Sequence, residues 1–238
     1  MANVIPDEVL KISKSLENNG FEVYPVGGSV RDLLLKKEVK DWDLTTNAKP
    51  EQVLEVFPNG FYNNNFGTVG IPWNQGVVEI STYRTEQNLT PTHKPDKVSW
   101  GKTIEEDLAR RDFTINAIAL KPTAIESNKP QSFEIIDPYK GEDDLKKKLI
   151  RAVGDPNQRF KEDALRLLRA VRIATELEFK IERQTWEKIK EDAKLIEHIS
   201  GERVQAEILR ILKSKNAYDG IMLLYDSGLL KYIIPQLI

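Results

Sequence analysis

No cysteine occurs among the 238 residues. That excludes a disulfide framework, a zinc-thiolate site and a cysteine nucleophile, and it fits a reducing, cytoplasmic setting. Long hydrophobic runs are missing too. Nothing approaches the ~20 apolar residues of a membrane span, and the closing "GLLKYIIPQLI" is short and broken by lysine and proline, so no membrane partner is expected. The opening "MANVIPDEVLKISKSLENNG" has neither an uninterrupted apolar core nor a small-residue cleavage site, and reads as a first helix rather than a signal. One-sided charge is also lacking: 35 basic residues stand against 37 acidic ones, for a formal net charge of −2. A polyanionic partner would therefore need the basic side chains gathered on one face. Internal repeats and low-complexity tracts are absent. The length suits one large domain or two modest ones, each with a core of its own.

What is present divides near residues 140 to 150. Before that point helical and extended patterns alternate. Val9, Leu10, Ile12 and Leu16 recur at helical spacing over residues 6 to 18, and Gly20 stops the helix. "FEVYPVGG" predicts a strand entering a glycine turn, "SVRDLLLKK" a helix, "DWDLTT" a strand and "KPEQVLEVF" a helix. "FGTVGIPW" and "GVVEISTYR" predict two hairpin strands around Asn74, Gln75 and Gly76. Residues 86 to 102, with two prolines and little periodicity, predict a mobile loop. Thr103 followed by Glu106 is a helix-capping signature, and "SFEIID" predicts a last strand. From "GEDDLKKK" onward the pattern is helical, over 160 to 178, 183 to 196 and 202 to 213. The expectation is an α+β head followed by an all-α region.

Three stretches of the head could carry chemistry. In "VYPVGGSVRDLL" a strand ends on Gly27 and Gly28 and a helix begins at once, presenting free N–H groups and its positive dipole end. Such a turn seats a phosphate, with Arg31 able to add a bidentate contact; glycine also occurs in such turns for steric reasons alone. It is neither a P-loop nor a GxGxxG turn. In "VKDWDLTT", Asp41 and Asp43 fall on one face of a strand, ~6.6 Å apart. They read either as a solvated strand edge or as a pair sharing divalent metal, which would relieve their mutual repulsion. Trp42 faces the other way, toward a core. Glu79, in an apolar strand, is either an ordinary outward residue or a third carboxylate able to help hold a metal or to deprotonate a hydroxyl.

Together, "GGSVRD", "DWD", "RRDFTIN", "DPYKGEDDL" and "EDALRLLRAVR" occur in this order, and the chain from about Val23 onward resembles the class II tRNA nucleotidyltransferases, the family of CCA-adding enzymes and bacterial poly(A) polymerases. The resemblance implies a nucleotidyltransferase-type head with a mixed or antiparallel sheet and flanking helices over 1–145, a helical neck for nucleobase recognition over 146–200, and over 201–238 the start of a helical body cut short. It implies that Gly28, Arg31 and Arg111 contact the nucleoside triphosphate, that Asp41 and Asp43 hold Mg²⁺, and that Asp112 and Asn116 lie near the ribose and the site wall. For those last two, capping of a helix or loop is the plainer alternative; Arg110 reads as a surface arginine.

Asp163 and Arg166 are three apart, so on one helix they would be neighbours and could form an intrahelical ion pair. The resemblance implies instead a protein template for the incoming base. Cytosine and adenine both present an amino donor beside a ring-nitrogen acceptor, which an aspartate and an arginine complement; uracil and guanine present the reverse. Arg169 and Arg172 match nucleotide contacts, although steps of three drift ~60° around a helix, which turns Arg172 away from Asp163. The implied reaction is template-independent addition of C and A from CTP and ATP to the tRNA 3′ end on the acceptor stem. The alternatives are poly(A) synthesis, a specialised A-adding or CC-adding activity, or a noncatalytic nucleotide- or RNA-binding role. The loop over 86–102 stands where the family has a flexible loop, with "THKPD" replacing an arginine-rich stretch. Relatives generally continue into helices that grip the tRNA, so weak, salt-sensitive tRNA binding is expected.

Overall fold

The computed structural model describes residues 5–64, 67–73, 76–85, 99–124 and 132–237. Two compact units emerge. The first comprises the described residues up to Thr85, from Ser99 to Arg111 and from Asn116 to Gly141; the second comprises Asp112–Ile115 and the residues from Glu142 onward.

The first unit is built on α1 (Asp7–Asn18), β1 (Val23–Pro25), α2 (Gly28–Leu34), β2 (Trp42–Thr46), α3 (Pro50–Val56), β3 (Phe61–Asn64), β4 (Thr68–Trp73) and β5 (Gly76–Thr82). Its five strands lie in the order β1-β2-β5-β4-β3. β2 and β5 run parallel and every other neighbouring pair is antiparallel, so the sheet is mixed. The expected hairpin forms between β4 and β5, with Trp73 opposite Gly76; Asn74 and Gln75 lie outside the described residues. α1, α2 and α3 pack on β1, β2 and β4. They bury Trp42, Leu44, Val69, Val78 and Ile80, each worth about 1.5–3 kcal/mol against exposure. Trp42 is thus a core residue, as its place in the strand predicts.

Two short pairs complete this unit. β6 (Arg84–Thr85) pairs with β7 (Ser99–Trp100), so the predicted loop ends before 99; residues 86–98 lie outside the described set. α4 (Ile104–Ala109) follows, capped by Thr103, whose hydroxyl accepts from the Glu106 N–H. The Glu106 carboxylate reaches back to the N–H of Lys102, one residue earlier than a capping box requires. β8 (Ala119–Ala124) and β9 (Ser132–Ile136) form the last pair, and Ala119 bridges Val26.

The second unit is helical. It holds α5 (Gly141–Lys147), β10 (Leu149–Ile150), α6 (Pro156–Glu162), α7 (Leu165–Leu177), β11 (Lys180–Ile181), α8 (Arg183–Asp192), a 3₁₀ segment (Ala193–His198), α9 (Gly201–Leu212), α10 (Ala217–Asp226) and α11 (Leu229–Ile233). β10 and β11 make a two-residue parallel pair that helical periodicity does not reveal. α7 is the axis of the unit: Leu167, Leu168, Ala170 and Val171 are fully buried, and it packs on α9 and α10. Among the described residues no helix is long and apolar enough to cross a membrane.

Candidate active site

β2 and β5 place Asp43 and Glu79 opposite each other in their parallel register. Neighbouring strands lie ~4.8 Å apart, so the two carboxylates meet on one face of the sheet. Asp43 is half-buried. Burial pushes its carboxyl up, the Arg111 guanidinium draws it down, and the negative charges of Glu79 and Asp41 raise it again, to about 6. Asp41 lies one residue ahead of the strand, at an exposed bend, so the strand is shorter than "DWDLTT" predicts. Among the described residues no group of three or more histidine, aspartate or glutamate side chains is gathered to hold a metal.

The same carboxylates open on a cavity of about 190 Å³, lined also by Ser81, Arg84, Arg110 and Arg111. Beneath the arginines lies Asp107, wholly buried in α4. Its Oδ1 accepts from Arg110 Nε at 2.9 Å and Nη2 at 2.5 Å, and its Oδ2 from Arg111 Nη2 at 2.9 Å. The Thr45 hydroxyl of β2 donates toward Oδ2 at 3.2 Å. Arg110 is therefore a member of this wall, not the isolated surface arginine its sequence suggests.

At the glycine turn the constraint falls on Gly27. Its φ of 77° lies in the left-handed region, and a Cβ there would come 3.0 Å from Arg111 Nη1 and 3.4 Å from Asp43 Oδ2. Gly28 opens α2. Arg31, three residues on, is held flat: Nε and Nη2 donate to Asp32 Oδ1 and Oδ2 at 2.8 and 3.0 Å, and Nη1 donates to Asn116 Oδ1 at 2.9 Å. Asn116 thus helps to orient Arg31.

In the second unit the template pair departs from the simple helical picture. The helix breaks at Asp163, whose extended backbone (φ −150°, ψ 103°) closes α6 before α7 begins. Asp163 therefore stands ahead of α7 and Arg166 within its first turn, the Arg166 N–H donating to the Asp163 carbonyl at 3.0 Å. Asp163 Oδ1 accepts from the Leu165 N–H at 3.1 Å, and Oδ2 from Arg203 Nη2 at 2.8 Å. Arg166 donates to Glu162 Oε2 at 2.7 Å and to the Arg159 carbonyl at 3.1 Å. Arg169 donates through Nε and Nη2 to Asp112 Oδ2 at 2.8 and 2.6 Å, while Asp112 Oδ1 accepts from the Phe113 N–H at 2.8 Å. Arg172 is buried against Glu207 and Glu176, and burial lowers its affinity for its proton.

Sequence reasoning did not single out Asp107, Asp32, Arg203 or Glu207. For Asp107 a signal existed, since it stands three and four residues ahead of the arginine pair, at helical contact spacing. For Arg203 and Glu207 none did; they reach their partners across 40 and 35 residues.

A mixed sheet with facing carboxylates beside an arginine-lined cavity, followed in sequence by a helical region, defines a nucleotidyltransferase-type head. Residues 23–151 match the model of the poly A polymerase head domain, and 178–238 that of the probable RNA- and SrmB-binding site of polymerase A. The chain therefore belongs to the poly A polymerase head-domain family. It is 40% identical over 229 residues to the CCA-adding enzyme of Lactobacillus helveticus, covering 94% of this chain and 55% of that one. Against the CCA-adding enzyme of Ligilactobacillus salivarius the identity is 41% over 232 residues, with 96% and 55% covered. The crystal structure of the Bacillus stearothermophilus CCA-adding enzyme in complex with CTP superposes with a TM-score of 0.85 at 36% identity, covering 97% of this chain and 54% of that one. A tRNA nucleotidyltransferase complexed with a primer tRNA and an incoming ATP analog gives 0.75 at 30% identity, covering 94% and 62%. The chain spans about half the length of the curated relatives it matches.

Proposed function

We propose that the chain carries the catalytic part of a template-independent RNA nucleotidyltransferase, which adds C and A from CTP and ATP to the tRNA 3′ end and releases pyrophosphate, in the cytoplasm. The observation that supports this reading best is the cavity in which Asp43 and Glu79 face Arg110 and Arg111. A polyphosphate needs cationic side chains on one side and a carboxylate-held cation on the other; both kinds of group line this one space. The names of the relatives support CTP, ATP and tRNA as the substrates.

The donor set fits a hard divalent cation. Mg²⁺ is held by one or two carboxylates and completes its shell with water and substrate phosphate, and Asp43 with Asp41 supplies such a pair, Glu79 standing beside Asp43. When bound, Mg²⁺ would activate the RNA 3′-hydroxyl and stabilise the departing pyrophosphate. Around it, Gly28, Arg31 and Arg111 receive the triphosphate. Gly27 keeps the backbone low enough for that approach, and Asn116 and Asp32 hold Arg31 flat.

For the base, this reading assigns Asp163 and Arg166 to the donor–acceptor edge shared by cytosine and adenine. Uracil or guanine would leave polar groups unpaired, at about 1–3 kcal/mol each. Asp112 and Arg169 then wall the ribose, and Arg172 serves from behind, through its pairing with Glu207. In domain terms the head would occupy 1–145, the base-reading neck 146–200 and the first part of an RNA-binding body 201–238.

The test is incubation with tRNAs lacking one, two or three 3′-terminal nucleotides, each with CTP, ATP, UTP or GTP, reading product length on a gel. Growth by C and then A, ending at the complete terminus, is expected. Long tails from ATP alone would indicate a poly(A) polymerase, and incorporation of U or G at rates like those of C and A would sink the base assignment. No incorporation at all, with nucleotide still bound, would favour a noncatalytic binding role.

A further inference from the structure

The arginine wall is fixed by a residue that does not itself line the cavity. Asp107 is wholly buried, and its two oxygens divide the arginines between them: Oδ1 takes Arg110 and Oδ2 takes Arg111. The same Oδ2 lies 3.2 Å from the Thr45 hydroxyl, which shares its proton with the Ser81 carbonyl of β5 at the same distance. Thr45 stands two residues along β2 from Asp43 and therefore on its face of the strand. One carboxylate thus links the strand that presents the acidic side of the cavity to the two guanidiniums of its basic side.

The arrangement has a chemical reason. Arginine is long and flexible, and a guanidinium left to itself samples many positions and loses that freedom on binding phosphate. Pinned through Nη2, Arg111 keeps its remaining N–H groups in one plane, with Nη1 directed at the glycine turn, 3.0 Å from where a Cβ of Gly27 would stand. Arg110 is held along one edge of its guanidinium, by Nε and Nη2.

We propose, resting on the nucleotidyltransferase reading above, that Asp107 is a positioning residue for triphosphate binding: it presets Arg110 and Arg111 against β2 so that the phosphates meet an ordered pair of guanidiniums. Its contribution is to the phosphates and not to the base. Loss of the Asp107 charge should therefore weaken CTP, ATP and bare tripolyphosphate by the same factor and leave C/U selectivity as it was.

Isothermal titration of the full chain with CTP and with tripolyphosphate tests this, beside steady-state nucleotide addition. Asp107→Asn should raise Kd for both ligands about tenfold and raise KM for CTP to match, with a much smaller change in kcat. Asp107→Glu should recover part of the loss. In an Arg111→Gln background, Asp107→Asn should add little, because its effect runs through the arginines. Should Asp107→Asn not fold, Thr45→Val keeps the charge pairs and releases the carboxylate from β2; it should raise both Kd values about threefold. Unchanged tripolyphosphate affinity in a folded Asp107→Asn, or in Thr45→Val when the former does not fold, overturns the proposal, as does a full additive loss in the Arg111→Gln background. If the unaltered chain bound neither CTP nor tripolyphosphate, the nucleotidyltransferase reading itself would fail, a result separable from the variants' behaviour.

Discussion

Arg203 and Asp163 join across 40 residues of chain, with Nη2 of the arginine donating to Oδ2 of the aspartate at 2.8 Å. The aspartate closes α6 and the arginine sits in α9, so the break that gives α7 its start is fastened from outside. Because more than a third of the arginine side chain is exposed, the ion pair itself contributes no more than about 1 kcal/mol. Arg203→Gln should lower unfolding free energy in urea by that amount or less. Asp163→Ala should cost roughly 1 kcal/mol more, since the Leu165 N–H also loses its acceptor. On the proposed function, only the aspartate change should raise U incorporation relative to C, by tenfold or more. Equal selectivity in the two variants would contradict this.

Asp43 and Glu79 face each other in register, so removing one charge should act on activity and stability in opposite directions. Asp43→Asn is expected to lower nucleotide addition at least a hundredfold. Its melting temperature in metal-free buffer should equal or exceed that of the unaltered chain, because a half-buried anion beside another is gone. A marked fall in melting temperature would show that the carboxylate is structural.

Asp107 predicts an acid limb. Burial alone would raise its carboxyl, but the charges and hydrogen bonds of Arg110 and Arg111 outweigh burial and hold it at about 2, against 3.8 for an ordinary aspartate. The folded form therefore gains stability that is complete above about pH 4 and is lost as pH falls toward 2, in all about 2 kcal/mol. Denaturation of the unaltered chain and Asp107→Asn, followed by circular dichroism from pH 6 to pH 2, should show the gap between them closing on acidification. A constant gap would be inconsistent with the pairing.

Arg172 is buried against Glu207 and Glu176. Glu207→Ala should destabilise by about 1–3 kcal/mol, because the buried Arg172 loses one of its two carboxylate partners and keeps only Glu176. Adding Arg172→Met should restore a large part of that loss, which a double-mutant cycle in urea would read as strong coupling. Simple additivity would mean the two do not depend on each other.

Gly27 and Gly154 both have φ in the left-handed region, at 77° and 66°, but a Cβ at Gly154 would meet nothing within 4 Å. Alanine at Gly154 should cost about 1 kcal/mol of backbone strain, and at Gly27, whose ψ of −139° belongs to a region nearly reserved for glycine, about 1–3 kcal/mol. Gly27→Ala alone should also displace Arg111 and weaken CTP binding. Equal CTP affinity in the two variants would argue against the close approach.

Much of the head was legible because its signals are local. The alternation of "DWDLTT", the hairpin of β4 and β5 and the apolar spacing of α1 each depend on neighbouring residues, and each element forms near its expected place. The break at Asp163 was harder to see: "EDALRLLRAVR" has unbroken helical spacing, yet the Asp163 side chain captures the Leu165 N–H and ends one helix to begin the next. The partners of the site arginines were illegible for a different reason. Asp32 is adjacent to Arg31 and could have been suspected; Arg203, Glu207 and the Asp112–Arg169 contact span tens of residues and are created by packing, which one sequence does not encode in any window.

β2 has an implication for how this site can change. Asp43 and Thr45 project from one face, while Trp42 and Leu44 fill the core from the other. A slip of one residue in the pairing with β5 would exchange these faces, sending tryptophan into the cavity and the aspartate into the core. The acidic side of the site and the Thr45 link to Asp107 would vanish in the same event. Activity along this strand should therefore behave as all or none under insertions and deletions, with graded variants arising only where the register is kept.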